Sequence, residues 1–211
     1  MLTPDIAIEQ LAYVEAVVNY VKPTPDKPRS YAFILPPGDP RANALNDPHT
    51  VRIRDMRPIA EDISLDRQGF ALRSHRSAVT DFADEDELRH IYYPEVERLI
   101  AQATGGKRVV TFDHTIRRRV RGLADRTAAA PRQPSTQIHG DYSAASGPQR
   151  LRDVLGKEAE VLLKQRFAIV NAWRPIRGPL RDAPLAMCDV RSVAPGDLVA
   201  ADLIYRDRNG E

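Results

Sequence analysis

The apolar residues of this chain arrive in short runs, and most runs are shut off by proline or glycine. Ser30–Leu35 stops at Pro36-Pro37-Gly38, Val51–Arg54 alternates apolar and polar side chains before Pro58, and Leu198–Tyr205 is entered through Pro195-Gly196-Asp197. Proline fixes φ and lacks the N–H a ladder needs, so a chain with 17 of them is cut into strand-length pieces. Phe70–Leu72, Arg108–Phe112, Phe167–Val170 and Leu185–Cys188 read as further strands. Helices flank them. Acidic residues from Asp81 to Glu87 precede Leu88, Ile91 and Tyr92, as suits a helix N-terminus. Pro94 then opens a stripe of Val96, Leu99, Ile100 and Ala103 that Gly105-Gly106 stops. Residues 150–166 predict two short helices broken at Gly156, and 120–134 a mobile loop. The first twenty residues fit either a short amphipathic helix or a helix running into a strand at Val17–Val21. The polar, hairpin-like turn 206–211 has no return strand after it in the sequence, which suggests either an edge or a chain cut short. The expected class is mainly β with flanking helices, in a single domain over 1–211, a length that suits one core.

Charge excludes more than it assigns. Thirty-one basic and 29 acidic residues leave a net charge of +2, too little to draw the whole chain to nucleic acid or a membrane. The run Arg117-Arg118-Arg119 is short and lacks interleaved aromatics, so nucleic-acid binding is not expected. A single Cys188 excludes an intrachain disulfide and a thiolate metal cluster. With no basic run leading into an apolar segment and no apolar stretch of 18 residues, a cytoplasmic protein with no membrane contact is expected.

The chemistry concentrates in Gln137-Ile138-His139-Gly140-Asp141-Tyr142. Side chains one residue apart on a strand or its exit point the same way, so His139 and Asp141 present an imidazole and a carboxylate together. They are two of the three protein ligands of a 2-His-1-carboxylate iron centre, which keeps positions open. Iron(II) is favoured over zinc, because there is no HExxH and no cysteine set. His139 is expected to bind through one ring nitrogen while an acceptor holds the other N–H. The remaining histidines, His49, His75, His90 and His114, all precede the motif. His114, at the end of a predicted strand, reads better as a second-shell group hydrogen-bonded to Asp113 or backbone than as a ligand. Asp189 and Asp202 give a less characteristic donor set. Arg117, Arg150 and Arg174 are candidates to fork a carboxylate, with surface ion pairing as the plain alternative. Trp173 is most simply a pocket-wall or core aromatic.

Three consecutive blocks carry a likeness to a known family: 110–119 (VTFDHTIRRR), 138–150 (IHGDYS followed by SGPQR) and 171–189 (NAWRPIRGPL, then PLAMCD). The combination resembles the non-haem Fe(II)/2-oxoglutarate-dependent oxygenases, in the branch with the cephamycin-pathway 7-alpha-hydroxylation protein, fungal meroterpenoid endoperoxidase and gibberellin desaturase-like enzymes. Val51–Asp55 and Leu65–Phe70 fit the likeness as well. The resemblance implies a double-stranded β-helix, or jelly roll, holding Fe(II) and 2-oxoglutarate, that hydroxylates or desaturates a small organic metabolite of secondary metabolism. It implies His139 and Asp141 as metal ligands; beside it, the residue reading expects Arg150 and Arg174 at the co-substrate, and His114, Arg117, Tyr142 and Trp173 around the substrate or behind the ligands. It also implies a further histidine in a downstream Thr-Pro-His stretch, where this sequence reaches Glu211. The barrel is therefore expected to be incomplete at its C-terminus, with a homo-oligomer or a partner chain as one way to complete it. The alternative is a noncatalytic, degenerate jelly roll that binds a small acidic ligand or another chain.

Overall fold

Strand and helix in this chain are distributed over two groups of segments. In the computed structural model, which describes residues 8–33, 35, 36, 38–122 and 131–210, one unit gathers Met1–Ala12, Arg54–His114 and Ile169–Val193, and the other Tyr13–Ile53, Thr115–Ala168 and Ala194–Glu211.

The second unit holds the sheets. β1 (Tyr13–Val21) pairs with β3 (Asn46–Arg54). Lys22 N donates to Leu45 O at 2.9 Å while Arg52 reaches back to Glu15, so the two strands run antiparallel. The ambiguous N-terminal stretch thus resolves as strand, as its β-branched Val14, Val17, Val18 and Val21 favour. β2 (Arg29–Tyr31) lies parallel to β4 (Asp202–Ile204), with Ser30 opposite Leu203. β5 (Asn209–Gly210) returns antiparallel along β4, so the final turn does have a partner, two residues long.

Helix α3 (Ser146–Leu155) ends at Gly156, whose φ of 55° belongs to glycine, and a short 3-10 turn leads into α4 (Ala159–Leu162). A Cβ on the buried Gly147 would stand 4.0 Å from the Phe167 ring, so the predicted strand at Phe167–Val170 begins by packing on α3.

The first unit is helical. Asp84 caps α1 (Glu85–Glu87) by accepting from Asp86 N and Glu87 N, and α1 passes through a π-helical turn (Leu88–Tyr92) into α2 (Tyr93–Thr104). Glu87 reaches back to Thr80 N at 2.6 Å, Thr80 Oγ1 at 2.7 Å and Asp81 N at 3.1 Å, which ties the preceding loop to the helix start. Gly105 closes α2 at φ 69°. Leu88, Val96 and Ile63 form the small buried core of this unit.

The predicted strands at 70–72, 108–112, 167–170 and 185–188 carry no ladder among the described residues. Strand propensity extends a backbone, but a strand also requires a neighbour to receive its N–H and C=O groups. Thr111 N instead donates to the Glu97 carboxylate of α2 at 2.8 Å, and Val110, Phe112, Leu185 and Met187 stay exposed. Similarly, Leu198–Tyr205 forms a ladder only over Asp202–Ile204, and Ser30–Leu35 only at its start, with Ile34 outside the described residues. Residues 123–130 of the predicted loop also lie outside them. No described helix is long and apolar enough to cross a membrane.

Candidate metal centre

The segment bearing His139 is fastened to the β1–β3 sheet just before the histidine. Gln137 bridges Asn19 in parallel register, Ile138 N donates to Asn19 O at 3.0 Å, Asn19 Nδ2 donates to Thr136 O at 2.9 Å, and Gln137 Nε2 reaches Asn46 Oδ1 at 3.2 Å. His139 thus follows an isolated β-bridge at Gln137, two residues before it. On the far side, Ser143 and Ser146 cap each other. Ser143 Oγ accepts from Ala145 N and Ser146 N, and Ser146 Oγ accepts from Ser143 N at 2.8 Å. This box starts α3 and holds the exit of Asp141 and Tyr142.

Within the motif, His139 Nδ1 lies 2.8 Å from Gln137 O. A carbonyl oxygen only accepts, so Nδ1 carries a proton, and Nε2 is the ring nitrogen left to a metal ion. Nε2 lies 3.6 Å from Asp141 Oδ1, and both side chains are nearly half exposed. Two metal bonds of about 2.1 Å at a right angle separate their donor atoms by roughly 3 Å, so the pair needs only a small closure to chelate one cation. Ser135 Oγ also approaches Nδ1, at 3.4 Å. Ser135, which lies before the motif and carries no sequence signal of its own, thus joins Gln137 at the Nδ1 edge of His139.

No group of three His, Cys, Asp or Glu side chains among the described residues could hold a metal ion. Asp189 caps a 3-10 turn and grips the Arg191 guanidinium, with Nη2 2.7 Å from Oδ2. The Arg191 hydrogen bonds hold its carboxyl below the usual aspartate range despite partial burial. Asp202 pairs with Lys27 at 2.6 Å. Arg117 Nη1 donates to Gln133 O at 2.9 Å, Tyr142 is exposed, and Arg150 sits half-buried in the second turn of α3.

His114, Trp173 and Arg174 belong to the other unit. His114 Nδ1 lies 2.7 Å from the Tyr93 hydroxyl and Nε2 3.3 Å from Glu85 Oε1, so its partners are two helix residues rather than Asp113 or backbone. Arg174 stacks over the rings of Phe82 and Tyr92 at 5.1 and 5.8 Å, and its Nε is buried without a hydrogen-bond partner among the described residues. Burial pushes the Tyr92 phenol above its ordinary pKa, against the opposing pull of Arg174. Trp173 is exposed.

Comparison with known proteins agrees across sequence and structure. The family described as oxidoreductase/YMDC permease-like domain matches residues 18–211. An oxidoreductase of Emericella nidulans is 32% identical over 91% of this chain and 65% of its own length. The hydroxylase/desaturase efuI of Hormonema carpetanum is 31% identical over 94% of this chain and 69% of its own. This chain therefore spans about two thirds of the length of these relatives. A variant of the iron and alpha-ketoglutarate-dependent endoperoxidase NvfI superposes with a TM-score of 0.78 at 24% identity, covering 94% of this chain and 72% of that one. The chain shares the jelly-roll fold of that enzyme.

Proposed function

This chain belongs to the non-haem Fe(II)/2-oxoglutarate-dependent oxygenase family, and from that premise we propose that it carries the metal-binding part of a hydroxylase or desaturase acting on a small organic metabolite. The carrying observation is the His139–Asp141 pair, with the imidazole proton fixed on Nδ1 by Gln137 and Nε2 directed to the carboxylate side. These residues fit Fe(II), since a neutral imidazole nitrogen and an ionised carboxylate are a donor set for a divalent ion with open positions. Iron with bound 2-oxoglutarate would supply oxygen activation coupled to oxidative decarboxylation of the co-substrate to succinate and carbon dioxide.

The chain's own residues bind and orient. His139 and Asp141 hold the metal, and Gln137 keeps His139 in its binding tautomer. Arg150 and Arg174 are assigned to carboxylate groups of the co-substrate. For Arg174 the support is an Nε–H that is buried without a hydrogen-bond partner among the described residues, beside the rings of Phe82 and Tyr92. His114, Arg117, Tyr142 and Trp173 are assigned to the substrate surroundings. We assign the activity to a single oxygenase domain working in the cytoplasm, where Cys188 stays reduced.

We further infer that the jelly roll is incomplete in this chain. The support is the set of strand-patterned segments without ladder partners, the exposed apolar side chains they carry, and relatives about half as long again. Two protein ligands hold iron weakly, so this chain alone is expected to turn over 2-oxoglutarate far below the rate of a complete site. Anaerobic titration with Fe(II) and 2-oxoglutarate tests the assignment. A chelate gives a visible charge-transfer band, and His139→Ala abolishes it; a band that persists in the variant overturns the metal site.

A further inference from the structure

The peptide unit between Gln137 and Ile138 is held at both ends. Its N–H donates to Asn19 O at 3.0 Å, and its carbonyl oxygen lies 2.8 Å from His139 Nδ1 and accepts from Ser135 Oγ at 3.2 Å. A peptide unit is planar, so the strand that fixes the N–H also fixes the direction of the C=O. Asn19 Nδ2 secures the preceding carbonyl, Thr136 O, at 2.9 Å. The stretch 135–138 is therefore set by β1 before it reaches the histidine. We propose that Ser135 is a positioning residue for the metal site, holding His139 in the tautomer and ring orientation that leave Nε2 to the ion. The proposal rests on the reading of His139 and Asp141 as the metal ligands.

The hydroxyl acts on the ring in two ways. A carbonyl has two lone pairs, so Gln137 O can take both the Nδ1 proton and the Ser135 proton. Ser135 Oγ also lies 3.4 Å from His139 Nδ1. A hydroxyl that donates to Gln137 O keeps its own lone pairs for the Nδ1–H, which is then shared between two acceptors. The opposite tautomer sets a bare Nδ1 against the lone pairs of Gln137 O and draws the Ser135 proton away from that carbonyl. Ser135 therefore favours the Nδ1–H form of the neutral ring and narrows its swing. The His139 side chain is 46% exposed, so hydrogen bonds more than packing decide where it points. A ligating imidazole whose other nitrogen is held in this way binds its metal more tightly.

The tautomer is read on the full metal-free chain by the ring 15N chemical shifts of His139 at about pH 8.5, where an ordinary imidazole is neutral. The parent is expected to show mainly the Nδ1–H form. Ser135→Ala lowers the ratio of Nδ1–H to Nε2–H form by about threefold or more, and Ser135→Thr, which keeps the hydroxyl, restores it. Fe(II) affinity by anaerobic calorimetry follows the same order, falling by about threefold or more in Ser135→Ala and recovering in Ser135→Thr. Should Ser135→Ala lose the parent's circular dichroism, Ser135→Cys carries the same expectation, since a thiol is a weak donor and acceptor. An unchanged tautomer ratio, an unchanged Fe(II) affinity, or a loss in Ser135→Thr as large as in Ser135→Ala overturns the proposal. Failure of the metal reading looks different: no charge-transfer band in the parent removes the site itself and the positioning role with it, whereas a parent band with a tautomer indifferent to Ser135 removes only the role of Ser135.

Discussion

His139 turns its protonated Nδ1 to Gln137 O at 2.8 Å and its Nε2 to Asp141 Oδ1 at 3.6 Å, so the ring's tautomer is set by the residue two before it and its free edge by the residue two after. A ligand pair built this way is organised by local backbone alternation and does not depend on a distant element to choose the nitrogen.

Asp141→Asn keeps the shape of that pair and removes its charge. The fold is expected to survive, with an unchanged circular dichroism spectrum and melting temperature, because both side chains are nearly half exposed. Affinity for Fe(II), measured by anaerobic calorimetry, is expected to fall by at least ~10-fold, since a neutral amide is a poor ligand for a hard divalent ion. Equal Fe(II) affinity in the variant removes Asp141 from the site.

Asn19 is the anchor of the His139 segment through Nδ2 to Thr136 O and its own carbonyl to Ile138 N. Asn19→Ala deletes the first bond and leaves the second, at a cost of about 0.5 to 1.5 kcal/mol. The loss should be local: amide hydrogen exchange at Ile138 is expected to accelerate while that of Val96 in α2 is unchanged. Uniform acceleration across the chain would instead mark Asn19 as a general stability residue.

The ends of the α1–α2 helical run are set by Asp84 and Gly105. Asp84→Ala removes an acceptor for Asp86 N and Glu87 N, worth about 1 kcal/mol. Gly105→Ala forces a side chain onto φ 69°, again roughly 1 kcal/mol. Both are read by chemical denaturation, where the midpoint shifts and the slope stays constant.

Local signals explain what the sequence disclosed. The helix at Tyr93–Thr104 was legible because Pro94 and Gly105 bracket an apolar stripe at helical spacing, and Gly156 broke its helix because only glycine is at ease at φ 55°. The His139–Asp141 pair was legible from alternation alone. What failed was pairing: Val110, Phe112, Leu185 and Met187 have strand-forming neighbours in sequence, but a ladder is a relationship with a second segment that propensity does not name. The partners of His114 failed for the same reason, since Tyr93 and Glu85 come from helices while Asp113 was merely next in the chain.

Glu95 gives this chain a specific dependence on acid. It stands in the first turn of α2, is only 8% exposed, and accepts from Ser77 Oγ at 2.5 Å and Ala78 N at 2.8 Å. Burial alone pushes its carboxyl upward, but the Ser77 and Ala78 hydrogen bonds, with the positive charges of His75 and Arg98, outweigh it and hold the group below its ordinary value of 4.5. A carboxyl whose pKa is lower folded than unfolded contributes stability above the unfolded value, and that contribution is lost as pH falls through the folded value. Melting temperature is therefore expected to decline as the solution is taken from about pH 5 toward about pH 3, and Glu95→Gln should flatten part of that decline. Glu87 shares the trend, held low by Thr80 and Asp81, so the double replacement flattens it further. Near neutral pH, Glu95→Ala costs about 1 to 3 kcal/mol, because Ala78 N–H and the Ser77 hydroxyl lose a buried acceptor. A Glu95→Gln chain whose melting temperature falls as steeply as the parent's over the same range would show that the Ser77–Ala78 contacts do not hold this carboxylate in solution.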